Sequence, residues 1–290
     1  MSTSTPHDQA KDQKDWSASQ YLKFGNERTR PVYDLVSQVA PLMPTTSPLR
    51  IYDLGCGPGN STSVLCSAFP NSRVTGMDSS PDMLRRASAD FSNQANVDFV
   101  SGDVSTFTVS PDTNLIFSNA VFHWLRQPTR IPSLARLLES LKPGGVLAIQ
   151  MPDNYHEHSH ALMRTVAKLP NQPWSDYFSN TRVGDLSDAD RPDLDPIEAP
   201  ADYYNALLPH AQSINIWRTN YHHVLADASA IVEWVKGTGL QPYLNRIEGE
   251  NAKKAYLKEY ERRLTEKYAR LADGKVLLGY PRLFVVAVRK

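Results

Sequence analysis

The sequence predicts an α/β fold, a doubly wound and mostly parallel seven-stranded sheet carrying a helical cap. Three observations lead there. Ile51 to Asn60 is an apolar run that passes straight into a glycine-rich turn. Two further short runs, Arg73 to Asp78 and Val97 to Val104, likewise close on a carboxylate, Asp78 and Asp103. Up to Met151, strand-like segments alternate with segments of helical spacing, and that alternation means parallel strands covered by helices on both faces.

The elements follow in order. Residues 1–15 are polar and read as a disordered leader. From Trp16 to Leu42, Tyr21, Leu22 and Phe24, then Val32, Leu35, Val36 and Val39, recur at helical intervals, so 16–48 is expected to hold one or two helices laid over the active site. The first strand covers about 49–54 and a helix runs from Ser61 to Phe69. The second strand is 73–77, followed by a helix from Asp82 to Phe91 with Ser80 as N-cap and Pro81 at its first position. A third strand is expected at 97–101 and a fourth at Asn114 to Ser118. The next helix runs from about Ile131 to Leu141, and Lys142-Pro143-Gly144-Gly145 stops it before a fifth strand, Val146 to Met151. Residues 49–152 thus form a Rossmann-like, cofactor-binding core. Residues 153–290 complete the sheet with cap insertions. Within them 181–200 is Pro- and Asp-rich and reads as exposed loop, Ser213 to Val224 and Arg282 to Arg289 read as strands, and Ala228 to Leu271 has helical spacing with a charged face. No internal repeat is present.

The glycine turn identifies a ligand class. Gly55, Gly57 and Gly59 let the backbone turn sharply and a ligand approach it closely. A dinucleotide site needs Gly-x-Gly-x-x-Gly and a Walker loop needs Lys with Ser or Thr, whereas here the spacing is Gly-x-Gly-x-Gly followed by Asn60. The acid before the first glycine, Asp53, suits a cofactor with an ammonium group and no phosphate, which S-adenosylmethionine is. Asp78 lies roughly 20 residues beyond the turn, where such a sheet places the acid that accepts from ribose hydroxyls. Asp103 then serves the adenine amine, with Ser79, Met83 and Val104 beside these two acids. Three acids closing three successive strands point to a class I methyltransferase. After the fourth strand, Asn119 and Ala120 are expected on the cofactor side and His123 and Trp124 on the substrate side, at the carboxyl ends of the strands.

Composition narrows the partners. Lys and Arg number 31 and Asp and Glu number 31, a zero formal net charge that argues against bulk attraction to nucleic acid or membrane. Cys56 and Cys66 are the two cysteines, one in the glycine turn and one in the following helix, which disfavours a bridge and suits a reducing compartment. No apolar run reaches the roughly 18 residues of a span, and the first residues lack a signal core. A cytoplasmic enzyme acting on a small molecule is the expectation.

Phe24 to Pro31, Asp53 to Thr62, Gly76 to Pro81, Gln150 to Asn154 and Tyr280 to Phe284 resemble the trans-aconitate methyltransferases, particularly the bacterial 2-methyltransferase type, and the similarity runs from about Trp16 to the C-terminus. It implies methyl transfer from S-adenosylmethionine to one carboxylate of a small polycarboxylate. Two places depart from the pattern: the stretch Asn171 to Pro200, and His123, where the bacterial enzymes have glutamine. His123-Trp124 instead is similar to the His-Trp pair with which plant carboxyl methyltransferases hold a substrate carboxylate. A carboxylate of pKa near ~4 is already ionised at neutral pH, so no general base and no catalytic triad is expected; alignment and removal of water supply the acceleration. Cationic groups are needed for the remaining carboxylates. Arg28, Arg30, Arg218 with Tyr221, and Arg282 are the candidates, since guanidinium groups bind carboxylates bidentately. Tyr21 is counted with this substrate-facing set, and Trp16 and Trp234 are expected in the core or lid.

His156-Glu157-His158-Ser159-His160 matches the His-Glu-x-x-His pattern of zinc hydrolases. It begins just after the fifth strand beside Pro152 and Asp153, so chance is the better reading and no metal is expected. Two other functions stay open at this level: a methyltransferase for another small acid, isopropylmalate-like or a secondary metabolite, and a cofactor-binding scaffold that no longer transfers methyl.

Overall fold

A computed structural model describes residues 25–45 and 48–290. The expected leader 1–15 lies outside the described residues, as do Trp16 and Tyr21. The elements, in chain order, are α1 (Gly25–Val39), β1 (Leu49–Leu54), α2 (Asn60–Ala68), β2 (Ser72–Asp78), α3 (Pro81–Asp90), β3 (Val97–Ser101), β4 (Leu115–Asn119), α4 (Gln127–Ser140), β5 (Val146–Pro152), α5 (His158–Ala167), α6 (Pro200–Leu207), β6 (Ala211–Leu225), α7 (Ala228–Lys236), the single turn α8 (Gln241–Leu244), α9 (Glu250–Lys267) and β7 (Val276–Arg289).

The sheet has the order β3-β2-β1-β4-β5-β7-β6. Strands β1 to β5 are parallel, and β7 runs antiparallel between β5 and β6. This is the doubly wound, seven-stranded sheet that the alternating sequence predicts. The chain order reverses direction beside β1, which places a crevice at the carboxyl ends of β1 and β4. The central strands read as continuous apolar runs because both their faces are covered. Along β4, β5 and β7 the side chains divide by parity. Phe117, Ala148 and Phe284 face α1 and α2 through Leu35, Val39 and Leu65. Ile116, Leu147 and Val285 face α4 and α6 through Leu134, Leu138 and Leu207. Each such buried Leu, Ile, Val or Phe side chain contributes about 1.5–3 kcal/mol relative to exposure. Ser80 caps α3 as the sequence indicates, its Oγ accepting the Met83 N–H at 3.2 Å with Pro81 at the first helical position.

A third core lies beyond the strand ends. It joins α5, α7 and α9 with Trp174, Phe178 and the far ends of β6 and β7, including Leu225, Val276 and Leu278. Buried tyrosine hydroxyls stitch it together: Tyr256 donates to the Met163 carbonyl at 2.9 Å and Tyr260 to the Ser159 carbonyl at 2.7 Å.

Three segments differ from the sequence reading. The helix after β4 starts at Gln127 rather than near Ile131, because Asp195 accepts the Gln127 N–H at 2.7 Å and secures the first turn. The last strand begins at Val276, through Gly279, Tyr280 and Pro281. Pro281 is tolerated because β7 has not yet come alongside β5, with which it first pairs at Arg282 opposite Pro152. Finally, 181–200 is loop but not exposed throughout. Arg191, Asp193 and Asp195 are buried, with Arg191 Nε 3.4 Å from Asp193 and its Nη2 bonded to Asp195.

Candidate active site

The glycine turn is shaped by contacts that exclude side chains. Gly55 has φ +73°, and a Cβ there would sit 2.1 Å from Val121 Cγ2. The N–H groups of Gly55 and Cys56 both donate to the Met77 carbonyl, at 2.6 and 3.0 Å, so the turn is tied to β2. Gly57, at φ +55°, has no heavy atom within 4 Å of where its Cβ would stand. Its N–H donates to Asp78 Oδ2 at 2.9 Å, while Ser80 N–H donates to Asp78 Oδ1 at 2.9 Å. Two backbone donors therefore aim this carboxylate.

Asp53 has a different place from the one its sequence position suggests. It is fully buried beneath the turn, where Ser61 Oγ and Thr62 Oγ1 donate to its Oδ2 at 2.7 and 2.6 Å. Burial, with Asp78 nearby, pushes its carboxyl up to about 6. Asp53 joins the end of β1 to the first turn of α2 and does not line the ligand cavity.

That cavity, open mouth included, encloses about 900 Å³. Its walls follow the sheet order: Asp78 ends β2, Gly55, Gly57 and Asn60 follow β1, Asn119 and Ala120 follow β4, Pro152 ends β5, and Tyr280 and Arg282 come from β7. Met83 of α3 also lines it. Ala120 has φ +60°, an uncommon conformation for a residue with a Cβ, held by its N–H donating to the Gln150 carbonyl at 2.9 Å. Four other cofactor candidates are not brought to the wall. Gly59 caps α2 at φ +97°. Ser79 is exposed, and Val104 is packed in the core beside Met77. Asp103 is exposed, its Oδ1 accepting the Ser105 N–H at 2.8 Å and the Ser105 hydroxyl at 2.7 Å.

At the other side of the cavity Arg28, His123, Trp124 and Arg282 converge with Trp234, Thr238 and Tyr280. Arg28 is buried on α1, donating from Nη2 to the Trp234 carbonyl at 2.9 Å with its guanidinium 5.6 Å from the indole centroid. Arg282 is buried as well, donating from Nη1 to Gln150 Oε1 at 2.9 Å and lying 5.2 Å from the Tyr280 ring. Burial, with Arg130 and Arg282 nearby, holds His123 well below the ordinary histidine range, so the ring is neutral. Its Nδ1 is buried without a hydrogen-bond partner among the described residues. The turn Phe122–Trp124 that carries it is anchored by Arg130, which donates to the Phe122 and Leu125 carbonyls at 3.1 and 2.9 Å and to Glu198 at 2.7 Å.

Three sequence candidates for the acid lie elsewhere. Arg30 stacks over Tyr221 at 5.3 Å, and the Tyr221 hydroxyl donates to Asp34 at 2.5 Å. Arg218 is exposed and pairs with Asp153 at 2.7 Å. Tyr21 falls outside the described residues. Conversely, Thr238, Pro152, Cys56, Ser61 and Trp234 line the cavity without having been assigned to a ligand. Trp234 shares the helical spacing of core residues, which disguised it; Tyr280, inside the Tyr280–Phe284 block, carried a signal that was available. His156 and Glu157 precede α5, which begins at His158. Among the described residues no group of three His, Cys, Asp or Glu is placed to hold a metal ion, and no helix is long and apolar enough to cross a membrane.

Comparison with known proteins adds three findings. A family model described as a methyltransferase domain matches residues 51–145. Proteins named trans-aconitate 2-methyltransferase from Rhizobium rhizogenes and Agrobacterium fabrum are 46% and 45% identical over 275 residues, covering 95% of this chain and 99% of each relative. Among solved structures, the YcgJ protein of Bacillus subtilis aligns with TM-score 0.55 at 10% identity, over 89% of this chain and 99% of its own. Phosphoethanolamine N-methyltransferase 2 of Haemonchus contortus, solved with S-adenosyl-L-methionine, aligns with TM-score 0.51 at 16% identity, over 94% of this chain and 56% of its own. These two likenesses concern the fold.

Proposed function

The chain belongs to the trans-aconitate 2-methyltransferase family, and from that premise we propose that it esterifies one carboxylate of trans-aconitate, or of a closely similar small polycarboxylate, without a general base. It is an S-adenosylmethionine-dependent methyltransferase. The observation that carries the substrate reading is the arrival of two buried guanidinium groups, Arg28 and Arg282, in the same cavity as the glycine turn.

The cofactor fits the residues present. Gly57 turns bare backbone toward open space, and Asp78 offers an aimed carboxylate to ribose hydroxyls, with Asn60, Met83, Asn119 and Ala120 completing that wall. When bound, S-adenosylmethionine supplies the methyl group and an electrophilic sulfonium centre. The chain's own residues do the rest. Arg28 and Arg282 hold the spectator carboxylates of the acid by charge-assisted hydrogen bonds. Neutral His123 donates one N–H to a carboxylate oxygen without transferring a proton. Trp124 and Trp234 exclude water, which raises the worth of every charge contact inside. The acid is anionic before it arrives, so no side chain must remove a proton, and alignment supplies the acceleration.

Mass spectrometry of purified protein with S-adenosylmethionine and trans-aconitate tests this reading, with citrate, cis-aconitate and isopropylmalate as comparison acids. A monomethyl ester formed preferentially from trans-aconitate is the expected result. No ester from any of these acids, with cofactor binding intact, overturns the substrate assignment.

A further inference from the structure

Gln150 touches both halves of the site without lining the cavity. It sits on β5, 1% exposed, directly between Asn119 of β4 and Phe284 of β7 in the sheet register. Its Oε1 accepts from Arg282 Nη1 at 2.9 Å, and its Nε2 donates to Asn119 Oδ1. Its backbone carbonyl accepts the N–H of Ala120 at 2.9 Å. One buried residue thus contacts the arginine assigned to the acid, and both the asparagine and the strained alanine assigned to the cofactor.

The polarity of this chain of bonds is forced. A guanidinium only donates, so Gln150 must turn its oxygen toward Arg282 and its NH₂ toward Asn119. Asn119 must then answer with its own oxygen, which leaves Nδ2 as the group available to a ligand in the cavity it lines. Because glutamine is neutral, the arginine charge is not cancelled by this partner.

We propose that Gln150 is a positioning residue that sets Asn119 as a hydrogen-bond donor toward the cofactor and couples occupancy of the cofactor side to occupancy of the acid side. The coupling half rests on the reading that the acid binds at Arg282; the polarity half does not. An acid drawn to Arg282 tightens the Arg282–Gln150–Asn119 alignment, so acid and cofactor each strengthen the other's binding by the same factor.

Titration calorimetry with S-adenosylhomocysteine, with and without saturating trans-aconitate, tests both halves on the full-length protein, alongside thermal unfolding. Wild type should bind the cofactor product roughly 5- to 10-fold tighter with acid present, within the ordinary range of coupling between sites. Gln150→Met should bring that ratio to about one. Gln150→Glu keeps the length and both contacts but accepts from each side. It should neutralise Arg282, turn Asn119 so that its oxygen faces the cavity, and weaken S-adenosylhomocysteine about tenfold even without acid, the size of one misplaced buried hydrogen bond. Its melting temperature should not fall, which separates misdirected polarity from loss of fold. Asn119→Asp should reproduce the cofactor defect.

A wild-type ratio of one overturns the coupling, and ester formation in a parallel assay distinguishes that failure from an error in the substrate class. Unchanged acid-free affinity in Gln150→Glu overturns the polarity assignment whatever the acid does.

Discussion

Each arginine of the cavity spends part of its donor fork on the protein before meeting a ligand. Arg28 spends Nη2 on the carbonyl of Trp234 and Arg282 spends Nη1 on Gln150, which fixes both planes in advance and lowers the ordering cost of binding. Replacing Arg28 by Ala should raise KM for the acid roughly 10- to 100-fold, the worth of a charged hydrogen-bonding pair, while S-adenosylhomocysteine affinity in the absence of acid changes much less. Steady-state kinetics with both substrates varied checks the split, and an unaltered KM for the acid contradicts the assignment. Titration adds a second expectation at this scale. Burial holds His160 at about 3 and His223 at about 4, both far below the ordinary 6.5. As pH falls below 6.5 the unfolded chain takes up protons that these folded rings refuse, so stability is lost on acidification. Asp53, raised to about 6, works the opposite way between pH 6 and 3.8, but it is one group against two, and His123 joins the histidines. The melting temperature should therefore drop between pH 7 and pH 4.5, and His160→Gln combined with His223→Gln should flatten the drop. A melting temperature that rises on acidification is incompatible with these buried neutral rings.

Among the elements, two turns carry the site, and they are built by different means. The glycine turn depends on missing Cβ atoms. Gly55→Ala would drive a methyl into Val121 in a left-handed conformation, so the expected result is a clear loss of thermal stability together with loss of cofactor binding. Gly57→Ala meets nothing. It should cost only about 1–2 kcal/mol of backbone strain yet still weaken the cofactor, because the new methyl stands in the ligand's space. Thermal unfolding and S-adenosylhomocysteine titration on the pair distinguish the two causes. The His123-Trp124 turn instead depends on Arg130, whose guanidinium is fully buried against backbone carbonyls and Glu198. Arg130→Ala should cost about 3–5 kcal/mol, since a buried carboxylate loses its counter-charge, and denaturant unfolding measures it. The first turn was legible in the sequence because its three glycines stand at alternate positions of one short run. The second was only half legible. His123 and Trp124 announce themselves beside a strand end, but Asp195 and Glu198 lie in a stretch whose acids and prolines look solvated until Arg126 and Arg130 reach them from elsewhere in the chain. The same locality explains Asp53. Its place before Gly55 suggests a ligand, and only the hydroxyls of Ser61 and Thr62 on the next helix reveal that it is committed inward.

For the whole molecule, the parallel core could be read from sequence almost strand by strand, whereas the helical core beyond the strand ends could be read only as helices. Its packing joins α5 to α9 across sequence separations of 93 and 101 residues, and no local period encodes such contacts. That core is made of two pieces of chain, one following β5 and the other inserted between β6 and β7, and the cavity takes Trp234 and Thr238 from the second. The insertion has an unusual attachment. Leu225 and Val276 are register partners, so the chain leaves the sheet and returns to it on the same rung of one continuous ladder. Whatever is spliced between those two residues inherits a hairpin already closed and a sheet whose remaining registers are undisturbed. The part of the cavity wall that carries Trp234 and Thr238 is therefore a separable piece, open to exchange by recombination at a single paired position with no redesign of the strands that hold the glycine turn.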